Sequence, residues 1–372
     1  MKHKLMSIKL ETSGKSSIEP LEKRMEPPVN SLAQQWAKRY LQNIRVNNSS
    51  VEERSNLSNL AEVVSSTGRE RTAKKIMESL RSVSAKAWSK TESLLSTQII
   101  QHNIESHLIN PWEIAGDSFK IYQKILDVYT QQTTQRPLSL VMNYLDGQAP
   151  DIYTEQVAPN KLATVISPDI GAIRNKYTSI EPRVIGFVSM QFHYTSQMLI
   201  EPLTILERSL VAAYFKVIDD HLYMPLQRAY EAAANHDYNS PVLSAVQQLL
   251  PISTKIAKKI SQRVIEMYPN YSSMSGVLSN PIVQISSIRD VEMFQVYLWV
   301  CALEESIASI QQELFPLCVM LYPTLKVRWE LVRQMLHLLG EEINNCLTPE
   351  QSKTLMPYFQ VLLDMFSPEV LG

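Results

Sequence analysis

From Ser286 to Pro316 the chain reads SSIRDVEMFQVYLWVCALEESIASIQQELFP, with neither Gly nor Pro between Ser287 and Phe315. Val291, Phe294, Leu298, Cys301 and Ala302 recur at steps of three and four, so the spacing predicts one long helix. Ser286 or Ser287 is the expected N-cap, with Asp290 in the first turn where the helix dipole favours an anion. Pro316 marks the turn or kink into a second helix. Phe294, Tyr297, Leu298, Trp299, Val300 and Cys301 make this helix apolar nearly all round, which requires burial on more than one side. The other elements must therefore pack about it.

Nine glycines in 372 residues leave little material for hairpins, so the fold class expected is all-α. A chain of this length can bury one large core or two. The formal net charge is −1, unevenly spread: residues 1–110 hold 17 Lys and Arg against 11 Asp and Glu, and 111–372 hold 19 against 26. Either the two parts meet each other or partners of opposite sign, or the excess is a solvated surface. Cys301, Cys318 and Cys346 do not make a disulfide framework, which suits a reducing compartment. No run approaches the roughly 18 apolar residues of a membrane span, and the Met1–Met6 start lacks a secretory core.

The expected organisation is a flexible arm over 1–29, a helical N-terminal region over 30–147, an irregular connection over 148–183 and a helical domain over 184–372. Leu32, Trp36 and Tyr40 are four apart on one helix, broken at Val46–Ser50. Val51 to Ser106 holds two or three amphipathic helices. Pro111 opens a further helix, and Arg136-Pro137 another that ends at Asp146-Gly147. Three prolines between Gln148 and Ile180 suggest the connection, and Val184 to Met198 suggests a helix. Thr204 and Glu207 form a capping-box pattern ahead of the stripe Leu206, Leu210, Tyr214, Val217, Ile218 and Leu222. Further helices follow from Leu226 and Val242, then one capped by Ser253 or Thr254, and after the long helix three more complete the bundle.

Few residues point to chemistry. Asp219-Asp220-His221 has metal-ligating types, but neighbours on a helix point about 100° apart and cannot converge on one ion, so no metal site is expected. His337 lies on an apolar stripe, where a hydrogen-bonded core histidine is the ordinary reading and a haem ligand the sharper one. Gly68 to Ile76 is the most basic stretch: either a solvated helix face or a contact for phosphates or an acidic partner. No nucleotide loop, nucleophile elbow, paired zinc ligands or carboxylate dyad is present, so no enzyme is expected.

The start of the long helix carries one resemblance. Ser287-Ile288-Arg289-Asp290-Val-Glu-Met-Phe resembles the Cys-x-Arg-Asp-Met-x-Tyr-Tyr signature of the phycobiliproteins, the globin-like light-harvesting subunits of cyanobacteria and red algae. Lys255 to Tyr268 resembles the family's preceding helix, and Met356 to Ser367 its closing Tyr-Phe-Asp helix, so the likeness covers roughly Leu203 to Ser367. It implies a globin-like bundle and a non-catalytic role in the phycobilisome or its regulation, cytoplasmic or at the thylakoid surface. The partner implied is a phycobilisome component or homologous subunit, as an oligomer, without nucleic acid.

In the family the signature Cys holds the bilin by a thioether, and Ser287 stands in its place with a poorer nucleophile. Bilin is then absent or non-covalent, with Ser287, Arg289 and Asp290 as the site equivalents and Cys346 near a second attachment site of some beta-type subunits. A pigment site requires a cleft with aromatic walls beside Arg289 and Asp290. The alternative, a helical regulator or adaptor unrelated to pigment that contacts nucleic acid through Gly68–Lys75, requires that cleft to be filled.

Overall fold

The computed structural model describes residues 28–41, 45–47, 53–133, 138–144, 147–148 and 152–372. The expected arm lies outside the described residues except for its last two positions, which open α1 (Pro28–Leu41). β1 (Arg45–Asn47) and α2 (Glu53–Val64) follow, and Val51 to Ser106 then resolves into only one more long helix, α3 (Ser66–Gln101). Ser65 caps α3 by accepting from the Gly68 amide at 3.0 Å. The chain turns so tightly there that a Cβ on Gly68 would sit 2.0 Å from the Glu62 carbonyl oxygen. α4 (Pro111–Thr130) has Asn110 as N-cap and Pro at its start, where a missing N–H costs nothing.

Two expectations fail in the next stretch. Of the helix expected between Arg136 and Gly147, the described residues Leu138–Tyr144 are a strand, β2, which pairs in parallel with β1 and antiparallel with β3 (Gly147–Gln148) and β4 (Ile152–Thr154). A short apolar run has no period long enough to tell strand from helix. Residues 148–183 are not an irregular connection either, because α5 (Pro159–Thr178) fills most of them. Pro159 opens that helix and Pro168 lies within it, so prolines that suggested a break are accommodated.

α6 (Val184–Ile200) and α7 (Ile205–Tyr223) come next, and the Thr204–Glu207 capping box is formed in both directions. α8 (Leu226–Ala234), α9 (Pro241–Leu249) and α10 (Ser253–Met267) lie where the sequence puts them. Neither Ser253 nor Thr254 caps α10, however. Ser253 donates to the Leu250 carbonyl, and both hydroxyls take Arg39. A small hairpin, β5 (Ser272–Ser273) and β6 (Gly276–Val277), leads into the long helix.

That helix, α11 (Pro281–Leu303), begins earlier and ends earlier than expected. Asn280 is its N-cap, accepting from the Ile282 amide at 2.9 Å, so Ser286 and Ser287 are interior and Asp290 is beyond the first turn. Glu305 takes a φ of +51° and the Ser306 amide returns to Cys301 O, an end normally built on Gly. Tertiary partners explain the stop: His236 Nε2 lies 2.6 Å from the Leu303 carbonyl, and Arg228 grips Glu304 through two bonds of 2.6 and 2.7 Å.

A π-helical turn, Ser309–Leu314, then leads into α12 (Phe315–Thr324). The wide turn keeps a carbonyl from the Pro316 ring. α13 (Trp329–Cys346), α14 (Pro349–Met365) and α15 (Pro368–Leu371) complete the chain. His337 is exposed on α13, so it is neither a core histidine nor a haem ligand.

All thirteen residues from Val291 to Leu303 of α11 are buried, on every face of the helix, as is Val283, and Trp299 and Tyr297 are among the largest. One core runs from Leu32 on α1 to Phe366 beyond α14. α1 packs against both α5 and α8, joining the N-terminal and C-terminal parts. Trp36 meets Trp299 edge to face at 6.3 Å, and Arg39 bonds Glu292 of α11.

Candidate functional site

Ser287, Arg289 and Asp290 share about one turn of α11, but the helix aims them differently. Ser287 borders a cavity of about 10 Å³ with Val264, Ile265, Leu278, Leu331 and Met335. That is space for one water, against roughly 300–1,000 Å³ for a typical small-molecule site. Asp290 faces α7 and accepts a 2.7 Å hydrogen bond from the Tyr223 hydroxyl. Burial pushes its carboxyl up, opposed by Arg289 and by the hydroxyls of Tyr223 and Tyr322.

Arg289 lies over the Tyr223 ring with its Cζ 4.3 Å from the centroid. Burial works against its charge, but Tyr223, Asp290, Asp219 and Asp220 outweigh it and hold the guanidinium protonated. Its Nε is sealed from water with no hydrogen-bond partner among the described residues. Burial and the nearby Asp290 charge together raise the Cys318 thiol far above its ordinary range.

The structure therefore brings Arg289 and Asp290 together around Tyr223 and turns Ser287 away from them. Cys346 ends α13, partly buried, with its carbonyl accepting from Gln248 Nε2. Tyr223 and Tyr322, the residues that complete the site, carry no sequence signal beyond their places at the ends of apolar stripes.

Other candidates resolve as structural. Asp220 bonds Lys216 at 2.8 Å, Asp219 lies 3.6 Å from His193, and His221 is bonded to Val217 O, so the Asp-Asp-His run diverges. Among the described residues no group of three or more His, Cys, Asp or Glu could hold a metal. In the basic stretch, Arg69 is buried and donates to the carbonyls of Val64, Tyr129 and Gln131, a cation at the C-terminal ends of α2 and α4. Arg71 pairs with Glu62 at 2.7 Å and Lys75 with Glu207 at 2.7 Å. These charges hold the chain to itself.

A second polar centre was not foreseen. Glu313, on the π-helical turn, receives Arg174 of α5 at 3.2 Å, Arg228 of α8 at 2.7 Å and the Tyr297 hydroxyl of α11 at 3.3 Å. Arg174 also bonds Tyr297 at 2.9 Å.

The helices from α7 to α14 thus define a globin-like, all-helical bundle with an Arg-Asp pair on its central helix. Residues 213–365, from within α7 to the last residue of α14, match the model of the phycobilisome protein family. No curated protein and no solved structure gives a significant match. The match agrees with the resemblance of the signature and covers the C-terminal part of the chain. It associates that part with light harvesting. No helix among the described residues is long and apolar enough to cross a membrane.

Proposed function

We propose that this is a non-catalytic phycobilisome-related protein that acts by binding a protein partner through its helical surfaces and carries no thioether-linked bilin. The observation that supports the reading most is the state of the signature turn. Residues 213–365 match the family, yet Ser287 replaces the thiol nucleophile and borders a cavity of about 10 Å³, and Asp290 is taken by the chain's own Tyr223. A helical bundle that keeps the fold while its pigment turn is filled from within is suited to contact other subunits. The finer assignments of Ser287, Arg289, Asp290 and Cys346 as bilin-site equivalents belong to the same reading.

The test is a visible spectrum of the protein purified from cells that make bilins, followed by acid-urea denaturation and zinc fluorescence on a gel. A colourless protein that co-sediments with isolated phycobilisomes is expected. Absorbance lost on denaturation would mean a non-covalent pigment, and zinc fluorescence would place a bilin on a cysteine, Cys346 first. Ser287→Cys is expected to stay colourless as well, because space is lacking in addition to the thiol; a coloured variant would show that the thiol alone was missing.

A further inference from the structure

We propose that the end of the bundle where α3 stops, α4 starts and α5 turns into α6 is a lipid-contact tip, which inserts Ile100, Trp112 and Ile180 into the surface of a bilayer with uncharged headgroups. These are the three most exposed large apolar side chains among the described residues, at 84%, 87% and 74%. They are far apart in sequence, and two cross-links bring them to one end. Arg183, at the head of α6, donates to the His102 carbonyl just past α3 at 2.7 Å. Lys176, in the last turn of α5, meets Glu113 in the first turn of α4 at 2.7 Å. Large apolar side chains gathered in this way mark a contact surface.

The local backbone holds these side chains in place. Asn110 accepts from the Trp112 amide at 3.1 Å, which fixes the indole in the first turn of α4, and Asn103 takes a φ of +55° as the chain reverses after α3. Size argues against a protein partner: three side chains, of which the aromatic one supplies about 150–250 Å², fall short of the roughly 800 Å² that a stable partner covers. A bilayer needs no matching pocket, its hold grows with the apolar area inserted, and indole favours the boundary between headgroups and acyl chains. Charge selects the lipid. Lys176 is shared by Glu113 and Asp117 at 2.7 and 2.6 Å, and Arg183 is held by Glu181 at 2.6 Å, so these cations are closed within the chain and offer little to an anionic headgroup. No described helix is long and apolar enough to cross a membrane, so the contact is with one leaflet. The tip lies outside residues 213–365 and is a property of the N-terminal part of the chain.

Flotation of the full chain with phosphatidylcholine vesicles tests this. The wild type is expected to float to the same extent at about 50 mM and about 500 mM salt. Trp112→Ser is expected to weaken binding about tenfold, and the Ile100→Ser/Trp112→Ser/Ile180→Ser triple variant to abolish it at unchanged helical circular dichroism. Ile205→Ser removes a side chain 71% exposed at the opposite end of the bundle and is expected to float like the wild type. A wild-type chain that stays in the aqueous layer overturns the proposal. Binding confined to phosphatidylglycerol vesicles and lost at high salt overturns it too, as does flotation that the triple variant retains. A chain that ignores vesicles but forms a dimer that Trp112→Ser dissolves also overturns it and assigns the tip to a second copy. None of these outcomes depends on whether the protein joins a phycobilisome.

Discussion

His221 sits between the rings of Tyr40 and Tyr230, and because Val217 O can only accept, its Nδ1 must carry the proton of that 2.8 Å bond. The other nitrogen has no partner among the described residues. Burial lowers its pKa to about 4. The fold thus favours the neutral ring, and the stability it confers is complete above the unfolded value near 6.5 and is lost as pH falls toward 4. Urea titrations are expected to show a loss of roughly 2 kcal/mol from this group between pH 7 and pH 5. His221→Gln should flatten that slope; an unchanged slope would mean that other groups set it.

Glu313 makes the opposite kind of demand, since its one carboxylate receives two arginines. Glu313→Gln leaves the buried Arg174 without a counter-charge, while Arg228 keeps Glu304, and is expected to cost about 3 kcal/mol by urea denaturation. At this scale the sequence was partly legible. Arg289 and Asp290 are singled out by the signature turn, but Tyr223 and Glu313 come from distant segments, and pairing across such distances leaves no local pattern.

At the scale of the element, helices were legible wherever apolar periodicity was long, as in α7, and where caps were explicit, as at Thr204. The end of α11 was not, because no Gly or Pro marks it; His236 and Arg228 impose it from outside the helix. The short strands around β2 were missed for want of length, and α5 because prolines at a helix start resemble breakers. The α2–α3 corner offers a local test. Gly68→Ala drives a Cβ into backbone oxygen and is expected to lower stability by about 1–3 kcal/mol. Arg69→Met removes the cation from three carbonyls and should cost a similar amount. Ser82→Ala, on the exposed face of α3, should leave the thermal midpoint within a degree or two; a comparable loss there would mean that the helix, and not the corner, is the weak point.

For the whole molecule, α1 is the piece that sequence could not place, since its periodicity fixes a helix but not the groove that receives it. Trp36 is fully buried, and Trp36→Ala is expected to cost about 3–5 kcal/mol and to let a protease cut near α1 before the rest of the chain. Arg39 reaches Glu292 across 253 positions of sequence. During synthesis, α1 leaves the ribosome long before the surface it fills exists. A helix made early is among the last to settle, and until α11 emerges Trp36 has to be kept from the wrong neighbours, which places the hazard of misfolding early in translation and its relief near the end.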